Sequence, residues 1–385
     1  MRIRKVTAWG VTYLWFLALQ YGLAVKVWSA EYEITKIADS NCLEFFCDHI
    51  TFFGFHPAIN DKGTVTFFTG SEGIACCFVS RIIRADKQTF TTIADTTNPL
   101  FAIGGLRGSD HLISMNNAGI VVFEAVLTTG GVGIFTGDGK RITSVAHSFD
   151  SGPFIANMAA INNKGAVAFS FFTPVEKALK IIHGSKTTIF DTTASDVSFF
   201  GPPAISDANT VVFRGSLDDG TFGIFTINER RLTTVATVPN GFTNFFIFPS
   251  INNAGRVVFA ARLIGGGSGI FTADGTTITR VADTNGAFAF FDVGGWDTIG
   301  PAINDVGAVA FAAILDDGRQ GIFVGPDPVA DRVIVTGDLL FGSPVIEVFF
   351  ARHGLNNRGQ LVFWAVLADG TEGIYKANPV RRPDH

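Results

Sequence analysis

The chain has 385 residues, of which 47% are hydrophobic and only 16% charged, with a formal net charge of -5. That hydrophobicity excludes an intrinsically disordered chain. The acidic balance argues against a nucleic-acid binder, and 43 glycines without a three-residue period exclude collagen.

The first element reads as an export signal. Arg2, Arg4 and Lys5 precede an uncharged run from Val6 to Val25, and small residues follow at Ser29 and Ala30. This is the order of a basic region, an apolar region and a cleavage site. The apolar run is also long enough to cross a bilayer, so an uncleaved N-terminal anchor is the alternative. Either way the rest of the chain is expected to be secreted, periplasmic or at the cell surface. Without residues 1–30, 25 basic residues face 34 acidic ones, which favours solubility and gives no support for binding anionic lipid. Export permits disulfides. The candidates are Cys42, Cys47, Cys76 and Cys77, whose pairing is left open, since four cysteines allow three full connectivities.

From residue 59 onward a nine-residue phrase recurs seven times. It opens at Ile59, Met115, Ile161, Ile205, Ile251, Ile303 and Leu355, and ends each time on Phe. Its second position is Asn60, Asn116, Asn162, Ser206, Asn252, Asn304 or Asn356. Its fifth is Gly63, Gly119, Gly165, Asn209, Gly255, Gly307 or Gly359. Asn or Ser opening a four-residue turn that closes on Gly is the pattern of a type I turn with a G1 bulge. The closing residue needs positive φ, and Asn209 is the side chain that tolerates it best after Gly. The pattern is therefore structural turn chemistry and needs no ligand role.

A strand such as Arg256 to Leu263 follows each turn. A second turn, a short Gly-Ile-Phe strand, a third turn such as Asp274-Gly275 and a further strand such as Thr277 to Asp283 complete the unit. Units of roughly 50 residues indicate a solenoid, propeller or array. The last unit stops after its third strand, near Lys376, while Glu33 to Asp39 matches the missing fourth one. That permutation closes a ring and removes a sheet edge. The expectation is all-β: a seven-bladed β-propeller of four-stranded antiparallel blades. In it the N-terminal strand completes the last blade. Residues 31–379 form this single domain, and 380–385 a short polar tail. The chain is expected to be a monomer, since a closed ring needs no partner subunit.

The Asn-x-x-Gly-x-x-Val-Phe unit behind an export signal resembles the uncharacterised bacterial NxxGxxVF tandem-repeat proteins. The resemblance covers nearly the whole exported chain and implies no activity. Many members carry a C-terminal anchoring segment, whereas Asn378 to His385 is short and polar.

Between units the sequence reads as long connectors, at 40–57, 96–113, 148–159, 192–203, 238–249, 284–301 and 337–353. They hold 20 of the 39 phenylalanines. Long loops on one face of a rigid scaffold are where function concentrates. Their phenylalanines read either as inter-blade packing or as a binding rim. Candidate ligand contacts there are Trp296, Asp297, Arg107, Asp110, His111, Arg352, His353 and His56. No Walker A, HExxH, GxSxG or EF-hand pattern occurs. No metal site, cofactor or catalytic residue is therefore assigned. The function expected is an exported scaffold binding an extracellular protein or carbohydrate, with no nucleic acid and no membrane beyond the N-terminus. The alternative is a hydrolase or lyase acting on extracellular glycans.

Overall fold

The structure is a computed structural model. It describes residues 27–28, 32–41, 50–72, 78–87, 89–107, 113–147, 155–172, 177–191, 197–229, 231–275, 277–291 and 300–380. Seven antiparallel sheets follow one another along the chain, and no helix occurs among the described residues. Six sheets are built from consecutive strands. The seventh joins the two ends of the chain: Tyr32–Asp39 pairs with Glu372–Pro379, placing Ile34 opposite Ala377 and Asp39 opposite Gly373. Val27–Trp28 extends the outer edge of this closing sheet beyond Tyr32–Asp39.

Each blade contains one phrase turn, between its innermost strand and the strand that follows. In blade 1, Gly63 N donates to Asn60 O at 2.9 Å, and the Asn60 side-chain oxygen accepts from the N–H groups of Lys62 and Thr64. Gly63 sits at φ +79°, and the one non-glycine at this place, Asn209, at φ +60°. The Asn side chain thus satisfies the turn's backbone donors, and the fifth residue takes the left-handed conformation that the sequence pattern demands.

The blades are held together by side chains. Among the described residues, seven apolar clusters each join one pair of adjacent blades. The closing pair is included: Ala38, Val362 and Trp364 of blade 7 pack with Phe53, Phe67 and Ile83 of blade 1. In five blades the phrase Phe pairs in register with the aromatic of the Gly-Ile-Phe or Gly-Ile-Tyr strand, whereas Phe67 faces Ile83 and Phe169 faces Lys180. Phe213 lies opposite Phe225 with ring centroids 5.9 Å apart, and Phe259 opposite Phe271 at 5.8 Å. Each fully buried Phe contributes about 2–3 kcal/mol, which makes this repeated pair a main source of blade stability.

The connectors differ from expectation. Each contains the innermost strand of the next blade: Ile50–Phe53, Phe101–Arg107, Ile155–Ile161, Val197–Phe200, Phe242–Phe245, Phe288–Phe290 and Ser343–Phe349. Their phenylalanines pack inward. Phe53, Phe200, Phe245, Phe246, Phe291 and Phe350 are all buried, while Phe55 is exposed. For these buried rings the inter-blade packing reading holds, whereas Phe55 stands exposed against Phe349 and Trp364.

Candidate functional site

The phrase turns converge on the central axis and there build two stacked rings. The deeper ring is made by the second position. Asn60 donates its amide to Asn116 O, Asn116 to Asn162 O, and Asn162 to Ser206 O. Asn252, Asn304 and Asn356 continue it, the last donating to Asn60 O at 2.8 Å. The circuit is interrupted once, where Ser206 has no amide to donate. All seven of these side chains are buried.

The outer ring is made by the third position, which is Asp61, Asn117, Asn163, Asp207, Asn253, Asp305 and Asn357. Each of these backbone N–H groups donates to the side-chain oxygen of the next blade's residue at 2.7–2.8 Å, and Asn357 closes the circle onto Asp61. The amides of flanking Asn residues bond the carboxylates laterally. Asn117 and Asn357 donate to Asp61, Asn163 and Asn253 to Asp207, and Asn253 and Asn357 to Asp305. Every carboxylate in the ring therefore accepts three N–H groups. The outer ring is partly or fully exposed, so it forms the rim of the channel.

Blade 7 supplies the floor. Arg352 is 4% exposed and crosses the channel. Its Nη2 donates to Pro203 O of blade 4 at 2.6 Å and its Nη1 to Pro249 O of blade 5 at 3.3 Å, while the guanidinium lies 5.2 Å from the Phe248 ring centroid. Phe248 and Ala351 pack with Met158 and Ile247 beside it, closing the channel with apolar atoms. Burial pushes the Arg352 guanidinium down to about 9, which leaves it charged at neutral pH. The same burial, with the neighbouring Arg352 charge, holds the His353 imidazole well below its ordinary value, so this ring is neutral at pH 7. Arg352 Nε and His353 Nε2 have no hydrogen-bond partner. Floor and rings line a cavity of about 160 Å³ that opens to solvent at the rim.

Of the sequence candidates, Arg352 and His353 come together in this cavity. His56 occupies the place in blade 1 equivalent to Arg352, four residues before the phrase Asn. It is buried with its ring edge-on to Phe55, 6.4 Å between centroids, and is not part of the cavity lining. Arg107 lies on a described strand opposite Glu124, but its side chain lies outside the described residues. Asp110, His111, Trp296 and Asp297 also lie outside them, as do Cys42, Cys47, Cys76 and Cys77. Sequence reasoning missed the outer ring. Its signal was present, since the third phrase position is Asp or Asn in all seven copies.

No protein-family model and no curated protein sequence matches the chain. Solved structures do match its shape. The chain resembles an acylaminoacyl peptidase of Pyrococcus horikoshii (TM-score 0.56, 10% identity, 88% of this chain and 54% of that one). It also resembles a puromycin-hydrolysing peptidase of Mycobacterium tuberculosis (TM-score 0.55, 13% identity, 86% and 52%). The chain thus spans about half the length of these two peptidases. An oligogalacturonate lyase of Vibrio parahaemolyticus matches over nearly its full length (TM-score 0.53, 9% identity, 92% and 96%). At such identities the likeness concerns the fold alone. The fold is a seven-bladed β-propeller.

Proposed function

We propose that the protein is an exported binding propeller that holds a small polar ligand in the central cavity at the phrase-turn end. One observation carries this reading: the cavity is prebuilt. Its rim carboxylates are each fixed by three N–H donors and its guanidinium is fixed to two backbone carbonyls, so its polar groups are oriented before any ligand arrives. The same fixation argues against catalysis. Proton transfer needs a base with a suitable pKa and a partner to orient it, and His353 is held neutral beside a cation with no carboxylate on its ring. We put the ligand here rather than on the connector face because the innermost strands run through the connectors and most of their described phenylalanines are buried. The resemblance to the NxxGxxVF repeat proteins and the N-terminal export pattern support an extracellular or periplasmic location.

The test is a thermal-shift screen of the purified protein against small polar metabolites, since a ligand of the folded state raises Tm by mass action. Each positive compound is repeated on Asn163→Trp, which places a bulky ring on the rim. Shifts that vanish in this variant support the cavity. A flat screen, or shifts that persist in Asn163→Trp, would overturn it.

A further inference from the structure

We propose that the central cavity binds a small zwitterion, an α-amino acid or a betaine. Its carboxylate faces Arg352, and its cationic group sits among Asp61, Asp207 and Asp305. This rests on the reading of the cavity as a ligand site and adds the chemistry of the ligand.

The first support is the layering of charge along the channel. One guanidinium lies at the floor and three carboxylates lie at the rim, and the only other ionisable side chain lining the cavity is the neutral His353. A simple anion would have to pass the three carboxylates. A simple cation would leave the Arg352 charge unmatched. A ligand with an anionic end inward and a cationic end outward meets both layers with the right sign.

The second support is the state of the floor. Arg352 is almost wholly buried, yet it contacts backbone carbonyls and a ring face and no carboxylate. A buried charge without an anion in contact is costly, and so is a buried donor without an acceptor. Arg352 Nε and His353 Nε2 are both in that condition, and both residues line the cavity. An incoming carboxylate at the floor would meet the Arg352 guanidinium and give His353 Nε2 a partner. The ligand supplies the counter-anion that the protein itself does not place there.

The third support is size. A cavity of about 160 Å³ holds on the order of ten water molecules. That admits a molecule, or the end of a molecule, of roughly ten non-hydrogen atoms below the rim.

The experiment is isothermal titration of the full chain at low ionic strength with glycine, L-proline, glycine betaine, acetate, tetramethylammonium and glucose, all at millimolar concentration. At least one zwitterion is expected to bind, and acetate and tetramethylammonium at least about tenfold more weakly. Arg352→Gln and Asp305→Asn are each expected to weaken that zwitterion by at least about tenfold. Asp305→Asn replaces a carboxylate by the amide already used at four other rim positions, so it keeps the propeller intact should Arg352→Gln not fold. Binding of acetate or glucose in preference to every zwitterion would overturn the proposal. So would silence from all zwitterions, or zwitterion affinity unchanged in Asp305→Asn. If the zwitterions are silent while other compounds bind in a manner blocked by Asn163→Trp, the ligand class fails and the cavity reading stands.

Discussion

The buried Asn ring makes a prediction that separates two roles of one side chain. Asn304 donates its amide to Asn356 O in the next blade at 3.1 Å and accepts the N–H of Ala308 in its own turn at 2.9 Å, and it is 3% exposed. Asn304→Ala removes both bonds, leaving the half-buried Ala308 N–H without its acceptor and Asn356 O with only the Gly359 N–H, a loss of about 2–4 kcal/mol. Asn304→Ser keeps an acceptor for the turn, as Ser206 does toward Thr210 in blade 4, and removes only the inter-blade donor. Its loss should be about 1 kcal/mol. At about 2 cal/mol/K per residue of unfolding entropy, a propeller of this size loses roughly 1.5 °C of Tm per kcal/mol. The two variants should therefore fall by roughly 3–6 °C and 1–2 °C. Urea denaturation gives the same ranking as midpoint shifts at constant slope. If Asn304→Ser unfolds with the wild-type midpoint, the inter-blade bond contributes nothing and the ring is only a set of independent turns.

Three further outcomes are expected. Phe213→Ala, at a site with 0% exposure between Phe200 and Phe225, should cost about 3–5 kcal/mol by urea denaturation, whereas a loss below 1 kcal/mol would deny the aromatic layer its role. Gly255→Ala adds a Cβ that meets no atom within 4 Å, so its cost is that of the left-handed φ of +85° alone, about 1 kcal/mol; a wild-type midpoint would contradict the turn assignment. His353 is depressed in the folded state, so the unfolded chain binds a proton that the folded one refuses. Its contribution is present above the ordinary histidine pKa and is lost as pH falls below about 6.5, by up to about 1.4 kcal/mol per pH unit. Urea midpoints of His353→Gln should fall less steeply than those of the wild type between pH 7 and 5, and parallel curves would refute the buried imidazole.

The turns and the closing strand were legible in the sequence because they are local. Asn60 to Gly63 specifies its own backbone, and Glu33 to Asp39 repeats a pattern seen in other blades. The innermost strands were not, for a physical reason. In all seven blades this strand meets its neighbour through a register shift, for example between Ile50 and Phe52 or between Val345 and Glu347. A bulge breaks the alternation by which a strand is recognised. The site was half legible. Arg352 and His353 were named as candidates, but their convergence with the outer ring depends on closure, which brings Asn357 to Asp61 across 296 positions. The repeat of Asp or Asn at the third phrase position fits ordinary turn composition, and only the closed ring sets those residues side by side.

The outer ring also has a parity. Amides and carboxylates can alternate around a circle only if the number of seats is even, and here there are seven. With three carboxylates and four amides, two amides must be neighbours, and they are Asn117 and Asn163. Asn253 and Asn357 each bridge two carboxylates, whereas Asn117 and Asn163 each bond one. Each therefore keeps a spare N–H, both on the same side of the mouth, between blades 2 and 3. An even-bladed ring of the same phrases could be saturated and featureless around its circumference. The odd blade count breaks that symmetry and gives the mouth a direction, so that nearly equivalent repeats present a guest with one orientation instead of seven.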